Sequence, residues 1–248
     1  MQSVDRVAAV LMAFTSGPSE LGVTDIAQRL DLPKSAVHRI LESLTESGLT
    51  SKERERGKYR LGPRATELSL AVLGTVDVRS LALPVMEELR DKTGETVTLT
   101  FAIALQRIYV AQVESRQDVR MTVEVGRRAP LYAGASGRAI LMTFSMEDLD
   151  KFLNQVELKP LTDNTVQDRA ELKRLLAEDA ARGHTVSLGE RDPYAAAVAA
   201  PLMTKGARAF GSISVCGPLV RLNEESLERH GDAVARAAAK ISHILGGH

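Results

Sequence analysis

The sequence predicts an α+β protein in three stretches: a small helical domain ending in a hairpin (residues 1–62), a helical linker (63–92), and a mixed domain with a mostly antiparallel sheet (93–248). Three observations predict it. Apolar residues recur at helical spacing through the first 48 positions, a single helical stripe runs from 64 to 92, and from Thr93 onward strand-like alternation interleaves with helices. A chain of 248 residues has room for two such domains, and its 44% apolar and 26% charged content is that of a folded protein.

Residues 3–15 carry Val4, Val7, Ala8, Leu11 and Phe14 on one helical face, with Ser3 placed to cap it. Residues 16–19 break the chain with Gly17 and Pro18. A short helix follows Thr24, with Ile26, Ala27 and Leu30 inward and Asp25 at its positive end. After the Asp31-Leu32-Pro33 turn, Pro33 suits the first position of a third helix. That helix buries Val37, Ile40, Leu41 and Leu44. At 100° per residue it turns Ser35, Arg39 and Glu42 outward, with His38 at the flank. Two helices joined by so short a turn, the second with donors near its outer start, form the helix-turn-helix that enters a DNA major groove.

Gly48 ends the helix, and residues 49–61 alternate and turn at Gly57, which predicts a two-stranded wing. From residue 34 to 64 eight lysines and arginines face four glutamates, although the chain carries 32 basic and 32 acidic residues and no net charge. Local positive charge on the third helix and wing is where phosphates would lie. Ser35, His38 and Arg39 are therefore the candidate base readers, and Lys34, Arg54, Arg56 and Lys58 the candidate phosphate contacts. A trihelical bundle that only mediates protein assembly would show the same periodicity.

In the linker, Ala65, Leu68, Val72 and Val76 form a stripe that needs a cover, and a second copy of the chain would supply one. Gly74 loosens it, and Pro84 is expected to kink or restart it. Strands are predicted over 96–105, 107–114 and 120–125, then helices over 134–144, 146–154 and 168–182. Strands follow over 185–188, 195–201 and 209–215, and Asn223 caps a last helix carrying Leu227, Val234, Ala238, Ile241 and Leu245.

Several chemistries are excluded by pattern. No phosphate-loop or dinucleotide fingerprint occurs, the five histidines lack metal-helix spacing, and one cysteine, Cys216, permits neither an internal disulfide nor a cysteine-rich zinc site. No cofactor or metal is expected. Apolar runs are too short to span a membrane, and Asp5 beside Arg6 spoils a secretory leader, so a cytoplasmic protein is expected. Gly134-Ala135-Ser136-Gly137 approaches a nucleophile elbow, yet its second glycine arrives one residue early. A hydrolase using Ser136, His184 and Asp192 is the rival reading. The small residues 132–139 otherwise either hold an anion on free N–H groups or let a helix pack closely on a sheet. Cys216, on an inner strand, reads as a buried small hydrophobe.

Three stretches, VTDIAQRLDLPKSAVHRILESLTESG (23–48), PLYAGASGRAILMTF (130–144) and DPYAAAVAAPLMTKGARAFGSISVCGP (192–218), resemble in order and spacing the IclR family of bacterial transcriptional regulators. The resemblance covers essentially the whole chain. It implies a winged helix-turn-helix, a linker helix and a GAF-like effector domain, in a homodimer or dimer of dimers on a palindromic double-stranded operator. It also implies that a small organic acid, aromatic ones included, or a related catabolic metabolite shifts DNA binding by changing how the two DNA-binding domains are set apart.

By the same resemblance the effector pocket is lined by Tyr132, Ala135, Ser136, Gly137, Ser187, Ala197, Ser214 and Cys216. Members that bind small keto acids commonly hold aspartate at the position of Ser187, cysteine at Ala197, serine or threonine at Gly134 and histidine at Tyr132. Those departures remove polar anchors, argue against a two- or three-carbon acid, and leave room for a bulkier or more apolar ligand. Ala36 likewise replaces a usual hydroxyl on the recognition helix.

Overall fold

A computed structural model describes residues 3–15, 20–53, 57–65, 68, 78–203 and 208–246, in two compact units, Met1–Asp77 and Val78–His248. In the first unit, helices α1 (Ser3–Met12), α2 (Val23–Leu30) and α3 (Lys34–Glu46) precede a hairpin of β1 (Thr50–Lys52) and β2 (Tyr59–Leu61). Its core is Val10, Phe14, Ile26, Val37, Leu41, Leu44 and Tyr59, the inward stripe of each helix plus one aromatic from the wing. Gly22 caps α2, its N–H held by the Asp25 carboxylate at 2.8 Å. Pro33 is the residue before α3 rather than its first.

The wing is fastened at both edges. Tyr59 exchanges backbone hydrogen bonds with Leu21, and the Thr45 and Thr50 hydroxyls meet at 2.8 Å between α3 and β1. Gly48, at φ +76°, makes the turn out of α3 in a conformation that residues with a Cβ seldom adopt.

The second unit opens with α4 (Val78–Thr93), which runs through Pro84 without the expected restart. The sheet follows: β3 (Thr96–Ile103), β4 (Gln106–Val113) and β5 (Arg128–Pro130), then helices α5 (Ala135–Leu141), α6 (Met146–Gln155) and α7 (Arg169–Arg182). Strands β6 (Thr185–Leu188), β7 (Ala195–Met203) and β8 (Ala209–Pro218) complete it before α8 (Glu224–Gly246). All six strands pair antiparallel in the order β5-β4-β3-β8-β7-β6. Asn223 caps α8 as expected, accepting from the Ser226 N–H at 2.9 Å.

One expected strand is displaced. Residues 120–125 do not join the ladder. The Val123 N–H is taken by the Gln112 side-chain oxygen at 2.6 Å, and backbone hydrogen bonds to β4 begin only at Gly126, which donates to the Tyr109 carbonyl at 2.8 Å. Of the expected linker stripe, Val72, Gly74 and Val76 lie outside the described residues. Residues from 78 onward pack into the second unit against β3, β4 and α8.

The two faces of the sheet differ in chemistry. Val97 and Leu99 of β3 alternate with Thr96, Thr98 and Thr100, and Ile213 and Val215 of β8 alternate with Ser212 and Ser214, all buried. The hydroxyl-bearing set meets α5: Ser212 Oγ donates to the Ser136 carbonyl at 2.8 Å and Thr185 Oγ1 to the Ala135 carbonyl at 2.8 Å. Small polar side chains let α5 lie close on the sheet while satisfying one another's hydrogen bonds.

Candidate functional site

In the first unit α3 turns Val37, Leu41 and Leu44 into the core, which fixes its opposite face outward. Lys34, Ser35 and Arg39 are exposed there, and Lys58 is exposed on the wing beside Lys52 and Arg60. Lys52 stacks its ammonium 5.3 Å from the Tyr59 ring centroid. His38 is half-buried, and its Nδ1 lies 3.3 Å from the Glu42 carboxylate, so part of its donor capacity is already engaged. Arg54 and Arg56 lie outside the described residues. Arg39 also borders an open groove of about 340 Å³ between α1 and α3, next to Arg6 and Ser43.

In the second unit a cavity of about 40 Å³ opens between the hydroxyl face of the sheet and the start of α5. Six of the sequence-derived effector residues line it: Ala135, Ser136, Ser187, Ala197, Ser214 and Cys216. Two do not. Tyr132 is buried in the apolar cluster with Leu131, Ile140 and Phe152, its hydroxyl donating to the Lys159 carbonyl at 3.0 Å. Gly137 sits one step behind the wall, where a Cβ would strike the Leu131 carbonyl and come within 2.5 Å of Arg107 Nη1. Gly137 is therefore a close-packing residue rather than a lining one.

The expected anion-holding loop is also largely engaged. The Gly134 N–H donates to Glu190 Oε2 at 2.9 Å, and the N–H groups of Gly137 and Arg138 go to the Gly134 carbonyl. Ser136 Oγ donates to Ser214 Oγ at 3.0 Å, and the Ser214 and Thr98 hydroxyls share a 2.7 Å hydrogen bond. Among the described residues, no histidine stands beside Ser136: the His184 Nε2 pairs with Glu228 at 2.9 Å, against Gly231 of α8. The nucleophile–base geometry that a serine hydrolase needs is not formed by Ser136 and His184.

Three charged residues at the pocket went unread in the sequence. Arg107 is 1% exposed, in phase with Tyr109 on β4, and donates through Nη1 to the Pro130 carbonyl while its Nε has no partner. Arg191 lies at the mouth, its guanidinium carbon 5.4 Å from the Tyr109 ring centroid, against 6.0 Å for that of Arg107. Glu190 accepts from Arg138 Nη1 at 2.6 Å, so its charge is already balanced. Arg138 also lies 3.1 Å from Asp179 through Nε and donates to the Val186 carbonyl.

Burial shifts these groups. It pushes the Arg107 guanidinium below its ordinary pKa, with Arg191 adding to the push, yet an arginine stays charged at neutral pH. It raises the Asp179 carboxyl from its ordinary value against the pull of Arg138. The Cys216 thiol is pushed up to about 12, also by burial. Cys216 is thus an inert wall residue at neutral pH, its thiolate being the reactive form. The cavity is smaller and more polar than the departures from the family pattern predict, because the charge enters from β4 and from the loop after β6.

The sequence comparisons agree with this geometry. Residues 70–243 match the model described as bacterial transcriptional regulator IclR C-terminal, and residues 3–54 match the IclR helix-turn-helix domain. The chain belongs to the IclR family. It is a DNA-binding transcriptional regulator of that family, 34% identical to the regulator KipR of Bacillus subtilis over 99% of this chain and 97% of the relative. Among solved structures it is similar to an IclR regulator from Alicyclobacillus acidocaldarius (TM-score 0.65, 30% identity, 98% of each chain). It is also similar to an IclR homologue from Microbacterium hydrocarbonoxydans complexed with 4-hydroxybenzoate (TM-score 0.61, 26% identity, 98% of this chain and 99% of that one). Among the described residues, no helix is long and apolar enough to cross a membrane, and no group of three metal-ligating side chains occurs.

Proposed function

We propose that this IclR regulator binds a palindromic operator as a homodimer, or as a dimer of dimers, and that a small organic acid in the second unit's cavity shifts that binding. One observation carries the acid: the Arg107 guanidinium is buried beside the cavity with no carboxylate within ion-pair distance among the described residues. Burying an ionised group without a partner is costly, so a site that retains one is suited to an anion. The relative complexed with 4-hydroxybenzoate shows that a carboxylic acid can occupy an IclR homologue.

On DNA, Ser35 and Arg39, with His38 beside them, face the base edges, and Lys34 and Lys58 with Arg54 and Arg56 hold phosphates. Two-fold pairing is supported by uncovered apolar surface: Leu81 of α4 is 45% exposed, and Leu68 of the first unit is 57% exposed. A two-fold dimer places its half-sites about 34 Å apart or at a multiple of that. The acid acts by binding two arrangements of the dimer unequally; without that difference it would shift nothing.

Nuclease footprinting on the DNA flanking the protein's own gene tests this reading, run with and without a panel of aliphatic and aromatic acids. Two protected half-sites in helical phase, altered by at least one acid, are expected. A single unphased footprint, or one that no acid alters, would contradict it.

A further inference from the structure

Two guanidiniums at the cavity lack a carboxylate within ion-pair distance among the described residues. Arg107 and Arg191 flank the same Tyr109 ring, and neither makes an ion pair among the described residues. Of the carboxylates at the pocket, Glu190 is held by Arg138 and by the Gly134 N–H, and Asp192 at the rim accepts from the Tyr194 N–H at 2.9 Å. Arg107 is the deeper cation, its unpartnered Nε buried; Arg191 is half-buried at the mouth. Size narrows the ligand further. A water needs about 10–15 Å³ of such space, and an engineered cavity that holds benzene measures about 150 Å³. The enclosed part of the cavity, about 40 Å³, therefore admits only a few heavy atoms, about one carboxylate group, and the rest of a ligand would lie in the open mouth beside Arg191.

We propose that this pocket takes a compact aliphatic dicarboxylate of two to four carbons, one carboxylate against the inner guanidinium of Arg107 and the other against Arg191 at the mouth. The proposal rests on the acid-effector reading above and deepens it. Arg107 supplies from β4 the anchor that Ser187 and Ala197 lack, and the hydroxyls of Thr98, Ser136 and Ser214 complete a polar floor. Guanidinium–carboxylate pairs are charge-assisted and directional, and in a site closed from water they gain strength. A monocarboxylate, 4-hydroxybenzoate included, leaves one guanidinium unmatched.

Titration calorimetry of the full chain with malonate, succinate, propionate and 4-hydroxybenzoate tests this, on the wild type and on Arg107→Met, Arg107→Lys and Arg191→Ala. Malonate or succinate is expected to bind at least tenfold more tightly than propionate or 4-hydroxybenzoate. Arg191→Ala should bring the dicarboxylate-to-propionate ratio toward one. Arg107→Met should weaken dicarboxylates at least tenfold, and Arg107→Lys, which keeps the charge and guards against a folding artefact, should weaken them less. Equal or tighter binding of propionate or 4-hydroxybenzoate would overturn the dicarboxylate assignment and leave the acid-effector reading standing. So would a ratio that Arg191→Ala leaves unchanged. Binding of none of the four acids would overturn both.

Discussion

Replacing Arg138 by methionine keeps the side chain's length and removes the buried cation that holds α5, α7 and the loop after β6 together. Arg138 is 3% exposed, and its guanidinium serves Glu190 Oε1 at 2.6 Å, Asp179 at 3.1 Å and the Val186 carbonyl. Breaking a buried ion pair by deleting one partner costs about 3–5 kcal/mol, because the other charge is left without compensation. Here two carboxylates lose a partner, but Asp179 keeps Arg182 at 2.6 Å and Glu190 keeps the Gly134 N–H. The expected loss is therefore about 3 kcal/mol, the low end of that range. Urea unfolding followed by far-ultraviolet circular dichroism measures it.

The pH dependence has a definite sign. Burial already holds the Asp179 carboxyl above its ordinary value, and Arg138 is the main group pulling it down. Without Arg138 it rises further, so folded protein takes up a proton there before unfolded protein does. That group's contribution to stability then grows as pH falls through its raised pKa. The loss should be smaller at pH 5 than at pH 7, and adding Asp179→Leu to the variant should restore most of it. A loss under about 1 kcal/mol at pH 7, or a loss that grows as pH falls, would contradict this role for Arg138.

Arg39→Ala should cost about 1–3 kcal/mol of specific operator affinity by anisotropy, as a lost base contact does, and leave non-specific binding in place. Lys58→Ala should weaken all sequences alike and lower the salt slope by about one. Gly137→Ala would ordinarily gain about 1 kcal/mol inside a helix, yet here its Cβ strikes the Leu131 carbonyl, so a net loss of about 1–3 kcal/mol in urea unfolding is expected. Cys216, with its thiol pushed up to about 12, should react with iodoacetamide at pH 8 far more slowly than a free cysteine; equal rates would contradict the raised pKa.

Much of the fold was legible because it follows from periodicity. The stripe of Val37, Leu41 and Leu44 showed which face of α3 points outward. The displaced strand was not legible: Val123 and Val125 alternate well enough, but the Gln112 side chain takes the N–H that a ladder would use. Tyr132 and Gly137 were misplaced for a related reason. Membership of a small-residue loop does not say which side chains face the cavity and which the core. Arg107 was missed because a charged residue on a strand reads as solvent-facing, and its burial depends on α5 covering that face. Its alternation in phase with Tyr109 and Ala111, rather than with Ile108 and Val110, was the available signal.

In the proposed regulator, occupancy of the second unit's cavity is coupled to operator binding by the first. Fluorescence anisotropy of the full chain on the DNA flanking its own gene tests it most directly, at about 50 and 200 mM salt, with and without saturating malonate or succinate. Tight, salt-sensitive binding whose affinity the acid shifts at least fivefold is expected, the low end of typical allosteric coupling. Binding that is tight at both salt concentrations and indifferent to bound acid would contradict it.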